Sequence, residues 1–206
     1  MPQELPTEPE SFQRHFRTAV KLYKANRYSD ALAAFEAAAA LRPDEAEAQY
    51  GRGVSLAHMG GERYEEALGA FKLALSLRPD LRKAYSALGV VLGLLGRNEE
   101  ALRAFDHALE LRPDEPSSHV DRGMTLAVLG RYEEAFAALD QAAAFGVENE
   151  AVLGTRALLL KRLLRGLGVT GGKRAWLGSG PIGAKQPLIL QPGAPTVSQA
   201  VIEDRG

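Results

Sequence analysis

The chain has 206 residues, of which 46% are hydrophobic and 25% are charged, and its formal net charge is -1. This composition is typical of a folded globular protein, and the balanced charge gives no overall field that would attract nucleic acid or an anionic membrane. The absence of cysteine excludes disulfides, thiolate metal sites and cysteine nucleophiles. The acidic, proline-rich start carries no apolar signal segment, and no apolar run approaches the ~18 residues needed to span a bilayer. We therefore expect a cytoplasmic protein without a membrane span.

Residues 1–11 come first in chain order and contain Pro2, Pro6 and Pro9 among acidic residues. Proline interrupts helices, so we expect a short solvated lead-in that ends before Phe12. From Phe12 onward, apolar side chains recur with the period of an α-helix, and short polar or glycine-containing turns interrupt them. The pattern divides this part of the chain into four similar helix-turn-helix units, at residues 12–45, 46–81, 82–115 and 116–149.

The boundaries after the first three units share the four residues Leu-Arg-Pro-Asp, and the aspartates are Asp44, Asp80 and Asp114. Proline cannot continue a helix, so these segments mark the ends of helices. An aspartate just after the proline can accept hydrogen bonds from the free N–H groups that open the next helix. We therefore expect the three aspartates to cap the helices that follow them.

Small and large residues recur at fixed positions of the four units, and a family resemblance rests on these positions. The first helix of each unit has a small residue at its eighth position, namely Ala19, Gly53, Gly89 and Gly123. The second helix has a small, a large and a second small residue, namely Ala31, Phe35 and Ala38; Ala67, Phe71 and Ala74; Ala101, Phe105 and Ala108; and Ala135, Leu139 and Ala142. In this pattern the chain resembles tetratricopeptide repeat (TPR) proteins. The resemblance implies an all-α, right-handed superhelical solenoid of helix-turn-helix repeats.

Residues 150–165 have an amphipathic pattern that predicts a C-terminal capping helix for the array. Its apolar arc consists of Val152, Leu153, Ala157, Leu159, Leu160, Leu163 and Leu164. Arg156 falls inside this arc, so we expect its side chain to extend to the surface. Glycine becomes frequent from Gly166 onward, so we expect residues 166–206 to form a disordered tail.

A concave groove is the expected functional site, because the first helix of each repeat lines such a groove in TPR proteins. Carried over to this chain, the groove residues are mostly apolar, and we select Phe16, Val20, Tyr23, Tyr50, Val54, His58, Val90, Leu94, Val120, Met124 and Val128. TPR proteins that grip a C-terminal carboxylate have Lys and Asn where Phe16 and Val20 stand, so that type of binding is disfavoured. The resemblance implies a protein-protein interaction scaffold that holds an amphipathic helix or an extended apolar peptide. We expect recognition without catalysis, cofactor or metal.

Three alternatives stay open beside this prediction. The apolar segment from Pro187 to Ile202 could occupy the groove in cis until a partner displaces it. The chain could be an accessory subunit or regulatory module of an enzyme complex. A basic cluster could bind phosphate or single-stranded nucleic acid weakly, although the C-terminus of a helix also favours cations for its own sake. That cluster comprises Lys161, Arg162, Arg165, Lys173 and Arg174, with Trp176 nearby.

Overall fold

The computed structural model describes residues 8–147 and 150–166, and within these ranges the chain forms helices and turns without strands. The α-helices are α1 (Glu8–Lys24), α2 (Tyr28–Leu41), α3 (Ala46–Met59), α4 (Tyr64–Leu77), α5 (Arg82–Leu94), α6 (Asn98–Leu111), α7 (Pro116–Val128), α8 (Tyr132–Ala144) and α9 (Glu150–Gly166). A short 3-10 helix, Gly61–Arg63, precedes α4 and accommodates the extra length of the second unit. The expected all-α solenoid is confirmed. The predicted tail beyond Gly166, including the segment from Pro187 to Ile202, lies outside the described residues.

Consecutive helices form four hairpins, α1–α2, α3–α4, α5–α6 and α7–α8, and each hairpin packs on the next. The turn between the two helices of each hairpin contains a residue with positive φ: Asn26 at 58°, Gly60 at 75°, Gly96 at 73° and Gly130 at 77°. Glycine adopts this left-handed conformation without steric cost, and asparagine tolerates it better than most residues. The turns therefore reverse the chain at the same position of each unit, since all four residues are the fifteenth of their units.

The first helix begins at Glu8, four residues before the expected start at Phe12. Pro9 is compatible with this start because the first turn of a helix does not use the N–H group that proline lacks. Phe12 is buried, and the guanidinium of Arg42 lies 5.0 Å from the centre of its ring. The proline-rich lead-in is thus shorter than the sequence pattern indicates.

The linkers between hairpins differ from the expected aspartate caps. The residues that precede α3, α5 and α7 are Glu45, Leu81 and Glu115, and no side-chain hydrogen bond caps any of these three described helix starts. Each aspartate lies one residue too early to act as the cap. The linker is held instead by its backbone, since the N–H groups of Glu45 and Leu81 donate to the carbonyl oxygens of Arg42 and Arg78 at 3.2 Å.

The core of each hairpin depends on the small residue of the first helix and the large residue of the second. Phe71 and Phe105 are buried in one cluster with Leu56, and an ideal Cβ added at Gly89 would lie only 2.7 Å from Cε1 of Phe105. A side chain at Gly89 would therefore force the two helices apart. This contact explains why the eighth position is small in the sequence.

Ion pairs connect successive hairpins at equivalent positions, 16 residues apart in the chain. Nε of Arg52 lies 3.4 Å from Oε1 of Glu36, and Nε of Arg122 lies 2.6 Å from Oδ1 of Asp106. Arg156 of α9 pairs with Asp140 in the same way, and its guanidinium lies 5.7 Å from the centre of the Phe136 ring. Arg156 therefore packs along α8, and its guanidinium pairs there with a carboxylate that is exposed at the surface. We call this series of ion pairs the inter-repeat ladder.

The inter-repeat ladder has no ion pair at the central interface, between the described helices α4 and α5. Leu88 of α5 stands at the position of the arginine, and Lys72 of α4 stands at the position of the acidic residue. Leu88 packs against the central apolar cluster, while Lys72 is exposed. The central interface thus joins its hairpins through apolar contacts at a position where the other interfaces use an ion pair.

Candidate functional site

The first helices of the hairpins form one layer of the array, in which α1 contacts α3, α3 contacts α5, and α5 contacts α7. Equivalent positions on these helices therefore follow one another along a common surface. We use the term inner surface for the eleven predicted groove residues of this layer, Phe16, Val20, Tyr23, Tyr50, Val54, His58, Val90, Leu94, Val120, Met124 and Val128. Their exposure differs between the two ends of the array.

At the N-terminal end, the apolar residues of the inner surface are half-buried and pack into the hairpin cores. Phe16, Val20 and Tyr23 lie against the buried cluster that contains Phe35. Tyr50 and Val54 lie against the central cluster. These residues have part of their surface covered by the protein itself, so they offer less free apolar area to a ligand than the sequence pattern indicates.

The rings of Tyr23, Tyr28 and His58 pack against one another near the turns of the first two hairpins. The hydroxyl of Tyr23 lies 2.7 Å from Nε2 of the exposed His58, and the ring of His58 stacks on Tyr28 at a centroid distance of 4.6 Å and an interplanar angle of 12°. Tyr28 in turn donates a hydrogen bond of 2.7 Å to Oδ1 of Asn26. Burial raises the pKa of Tyr23, and the neighbouring Tyr28 adds to this effect. The polar groups at this end are thus already partnered.

A charged group covers the next ring along the inner surface. Nζ of Lys83 lies 4.8 Å from the centre of the Tyr50 ring, and the same ammonium group pairs with Oε2 of Glu47 at 2.6 Å. Burial is the largest cause that raises the pKa of Tyr50, ahead of the charges of Tyr23 and Glu47, while Arg82 opposes the rise. The ring of Tyr50 is therefore covered in part by the protein itself.

At the C-terminal end, the inner surface exposes aliphatic side chains to solvent. The exposed fractions are 43% for Val90, 60% for Leu94, 43% for Met124 and 70% for Val128. Val90 and Leu94 are one helical turn apart on α5, and Met124 and Val128 are one helical turn apart on α7. The two side chains of each pair therefore lie on the same face of their helix. We call these four residues the aliphatic strip. Val120 is half-buried beside them and packs against the cluster that contains Leu126.

No acidic residue stands beside the aliphatic strip at the other positions of α5 and α7 that the family resemblance assigns to the groove. Besides Val120, these positions are filled by Lys83, Ser86, Gly93, Ser117 and Ala127. Large apolar side chains that stay exposed together in a soluble array are typical of an interaction surface. The aliphatic strip can therefore bury an apolar segment of a ligand without leaving a carboxylate of these two helices unpaired.

Sequence patterns did not predict a second concave feature, a cleft of about 580 Å³ between α6, α7 and α8. It is lined by Asp106, Leu109, Glu110, His119, Arg122, Ala137, Ala138 and Gln141. Its main polar groups are already engaged, because Arg122 pairs with Asp106 and Nε2 of His119 donates to the carbonyl oxygen of Pro113 at 2.7 Å. The cleft therefore offers few free hydrogen-bonding groups to a ligand.

The basic cluster is described only in part. Lys161 and Arg162 are exposed on α9, and the guanidinium of Arg162 lies 4.7 Å from the centre of the Tyr132 ring. Lys173, Arg174 and Trp176 lie outside the described residues. The described residues contain no group of three or more His, Asp or Glu side chains that could hold a metal ion. Within the same part of the chain, no helix is both long and apolar enough to cross a membrane.

Solved structures with the same fold place the chain among helical repeat proteins. YrrB, described as a TPR protein with an unusual peptide-binding site, is 25% identical with a TM-score of 0.62, over 72% of this chain and 75% of that chain. TTC0263, a thermophilic TPR protein of Thermus thermophilus, is 27% identical with a TM-score of 0.60, over 77% and 84%. MamA of Desulfovibrio magneticus is 16% identical with a TM-score of 0.65, over 78% and 95%, and shares the fold. No curated protein sequence matches the chain.

The family assignment rests on the repeats themselves. The family model described as tetratricopeptide repeat matches residues 16–82 and 86–148, which together make up more than half of the chain. These two ranges contain the small and large positions that build the hairpin cores, and they contain every residue of the inner surface. The chain belongs to the tetratricopeptide repeat family.

Proposed function

We propose that this protein is an interaction module that binds an amphipathic helix or an extended apolar peptide on its inner surface, through recognition and without catalysis. The aliphatic strip is the observation that carries the proposal. Four large aliphatic side chains stay exposed on two adjacent helices, and covering them is favourable by about 25 cal/mol for each Å² removed from water. The similarity to YrrB, a TPR protein with a peptide-binding site, adds support.

The two ends of the inner surface have different roles in this proposal. The aliphatic strip supplies the apolar anchors, and the flexible side chain of Met124 adapts to the shape of the ligand. The half-buried Tyr50, Val54 and Val120 form the floor beside the strip. Phe16, Val20, Tyr23 and His58 contribute little binding energy, because their apolar area and their polar groups are already engaged within the protein.

A double substitution in the strip tests the proposal. Peptides selected from a random displayed library against the full-length protein provide the ligands, and fluorescence anisotropy gives their Kd. Val90→Glu combined with Leu94→Glu places two carboxylates where the ligand would bury apolar groups. We expect the Kd to rise at least about 100-fold, as for the loss of central interface anchors, while circular dichroism shows unchanged helicity.

A matched control is available on a second helix of the array. Leu73 and Leu77 of α4 are exposed to a similar degree, at 42% and 38%, and are also one helical turn apart. Leu73→Glu combined with Leu77→Glu adds the same charge to the protein, and we expect the Kd to stay within about twofold of the wild-type value. If both double substitutions raise the Kd equally, or if neither raises it, the aliphatic strip is not the binding site.

A further inference from the structure

The last helix, α9, docks on the array as the first helix of another repeat. Val152 and Leu159 are buried against α8, and they correspond to Ser118 and Thr125 of α7, which are also buried. The ion pair between Arg156 and Asp140 repeats the inter-repeat ladder. The contacts of α9 with α8 thus follow those that α7 makes with α6.

No second helix among the described residues packs on the side of α9 that would face it. Leu153 is 41% exposed, Ala157 is exposed, and Leu160 and Leu164 are half-buried. We call these four residues the open face of α9. Ala157 stands at the eighth position of the repeat, and its equivalents in the four hairpins, Ala19, Gly53, Gly89 and Gly123, are all buried. Among the described residues, α9 is therefore a first helix without its second helix.

The hairpins show which side chain this small position receives. Phe71 and Phe105 reach Gly53 and Gly89 so closely that an added Cβ would meet their rings at 2.5 Å and 2.7 Å. The first hairpin is the nearest precedent for α9, because it has alanine at this position. Ala19 and Phe35 are both buried there, in one cluster. Alanine at the eighth position thus accepts the phenylalanine of a second helix.

A second copy of the chain does not supply such a helix from its described residues. The small and large residues of α2, α4, α6 and α8 are all buried in their own hairpins, at 3% exposure or less. Unfolding a hairpin to release one of them would lose that core. The occupant must therefore be a helix whose large residue is free before binding.

Charge favours a helix that begins with acidic residues. Lys161 and Arg162 are exposed near the C-terminal end of α9, the end of a first helix from which a second helix starts in the hairpins. The second helices of this chain carry acidic residues in their first turn, such as Glu65 and Glu66 in α4. An acidic first turn on the arriving helix would lie beside the cations of α9 and add to the affinity at low salt.

We infer that the open face of α9 binds an amphipathic α-helix of another protein that has the pattern of a TPR second helix. That pattern is an acidic first turn, then a small residue, a phenylalanine or leucine four positions later, and a small residue three positions after that. The arriving helix completes the unfinished repeat and inserts its large side chain over Ala157. This site is separate from the inner surface and does not depend on the function proposed for it.

A peptide from the chain itself is a suitable probe. Residues 27–42, synthesised with blocked ends and a fluorescent label, contain α2, whose natural partner has alanine at the eighth position. We expect the labelled peptide to bind the full-length protein in an anisotropy titration, and Phe35→Ala in the peptide to weaken binding at least about tenfold. Amide hydrogen exchange of residues 153–164 should slow when the peptide is added.

Substitutions in the protein separate this site from others. Ala157→Arg places a long charged side chain on the open face, and we expect the Kd of the peptide to rise at least about tenfold. Ala33→Arg, at an exposed alanine of α2, is the matched control and should leave the Kd unchanged, as should Val90→Glu with Leu94→Glu. The inference is overturned if the peptide does not bind, or if Ala157→Arg does not raise the Kd of the peptide. It is also overturned if light scattering shows a dimer that Ala157→Arg converts to a monomer.

Discussion

Asp121 is a carboxylate placed at an interface between repeats. It lies on α7, and its equivalents in the two preceding repeats are Gly51 and Ala87. This position faces the second helix of the preceding repeat, because a Cβ added at Gly51 would lie 2.3 Å from the Phe35 ring. Asp121 is half-buried, and this burial raises its pKa. A raised pKa means that ionised Asp121 destabilises the folded state.

The substitution Asp121→Asn tests this destabilisation. The folded pKa lies above the unfolded value of about 3.9, so the cost is present at pH 7, decreases as the pH falls through the folded pKa, and vanishes below the unfolded value. We expect the variant to gain on the order of 1 kcal/mol in free energy of unfolding at pH 7. Urea denaturation at pH 7 and pH 4 measures both free energies.

Asp140→Asn is the contrasting variant, since Asp140 belongs to the inter-repeat ladder and has an arginine partner. Its carboxylate stabilises the fold, so the amide should lower the stability at pH 7. If Asp121→Asn gives the same gain at both pH values, ionisation is not the cause, and the amide improves packing instead.

Helix α5 contains two glycines that differ only in their surroundings. Gly89 faces Phe105 within its hairpin, whereas a Cβ added at Gly93 would meet nothing within 4 Å. Gly89→Ala should lower the free energy of unfolding by about 1–3 kcal/mol, because the phenylalanine ring must move. Gly93→Ala should raise it by about 0.5–1 kcal/mol, because alanine is the better helix former. Chemical denaturation of the two single variants measures both changes, and equal changes would contradict the close approach of α5 and α6.

The helices and hairpins follow from the sequence because their determinants are local. The contact between Gly89 and Phe105 recurs in each unit as a pair of residue types at fixed spacing, which a repeat pattern reveals. The inter-repeat ladder does not follow from the same patterns, although a signal exists: an arginine at the seventh position of a first helix follows an acidic residue by 16 positions at Arg52, Arg122 and Arg156. Such a spacing joins two different helices, so no helical periodicity points to it.

The sequence pattern also does not predict which residues of the candidate site are exposed to solvent. Tyr50 and Leu94 both occupy groove positions of first helices, yet Tyr50 is half-buried and Leu94 is 60% exposed. The difference depends on ring stacking and on neighbouring charges, such as Lys83 over Tyr50, which come from other repeats. The family positions located the inner surface, while the packing of its neighbours decides which part of it is free.

Stability in the whole array is expected to decrease from the centre toward the ends. Repeat arrays are stabilised by contacts between neighbours, and a terminal helix has a neighbour on one side only. Helices α4, α5 and α6 share the largest apolar cluster, whereas α9 contacts α8. Native-state amide hydrogen exchange should therefore be slowest in α4 to α6 and fastest in α9 among the described helices. Uniform exchange across the helices would indicate that the array opens as a single unit.

The inter-repeat ladder has a consequence for how this array could lose or gain a repeat by recombination. Excision of residues 116–149 would bring Arg156 against Asp106, which restores an ion pair at the new junction. Excision of residues 82–115 would instead bring Arg122 against Lys72, two like charges at a position where the other interfaces pair opposite ones. Shortened descendants of this gene would therefore retain the third repeat more readily than the fourth.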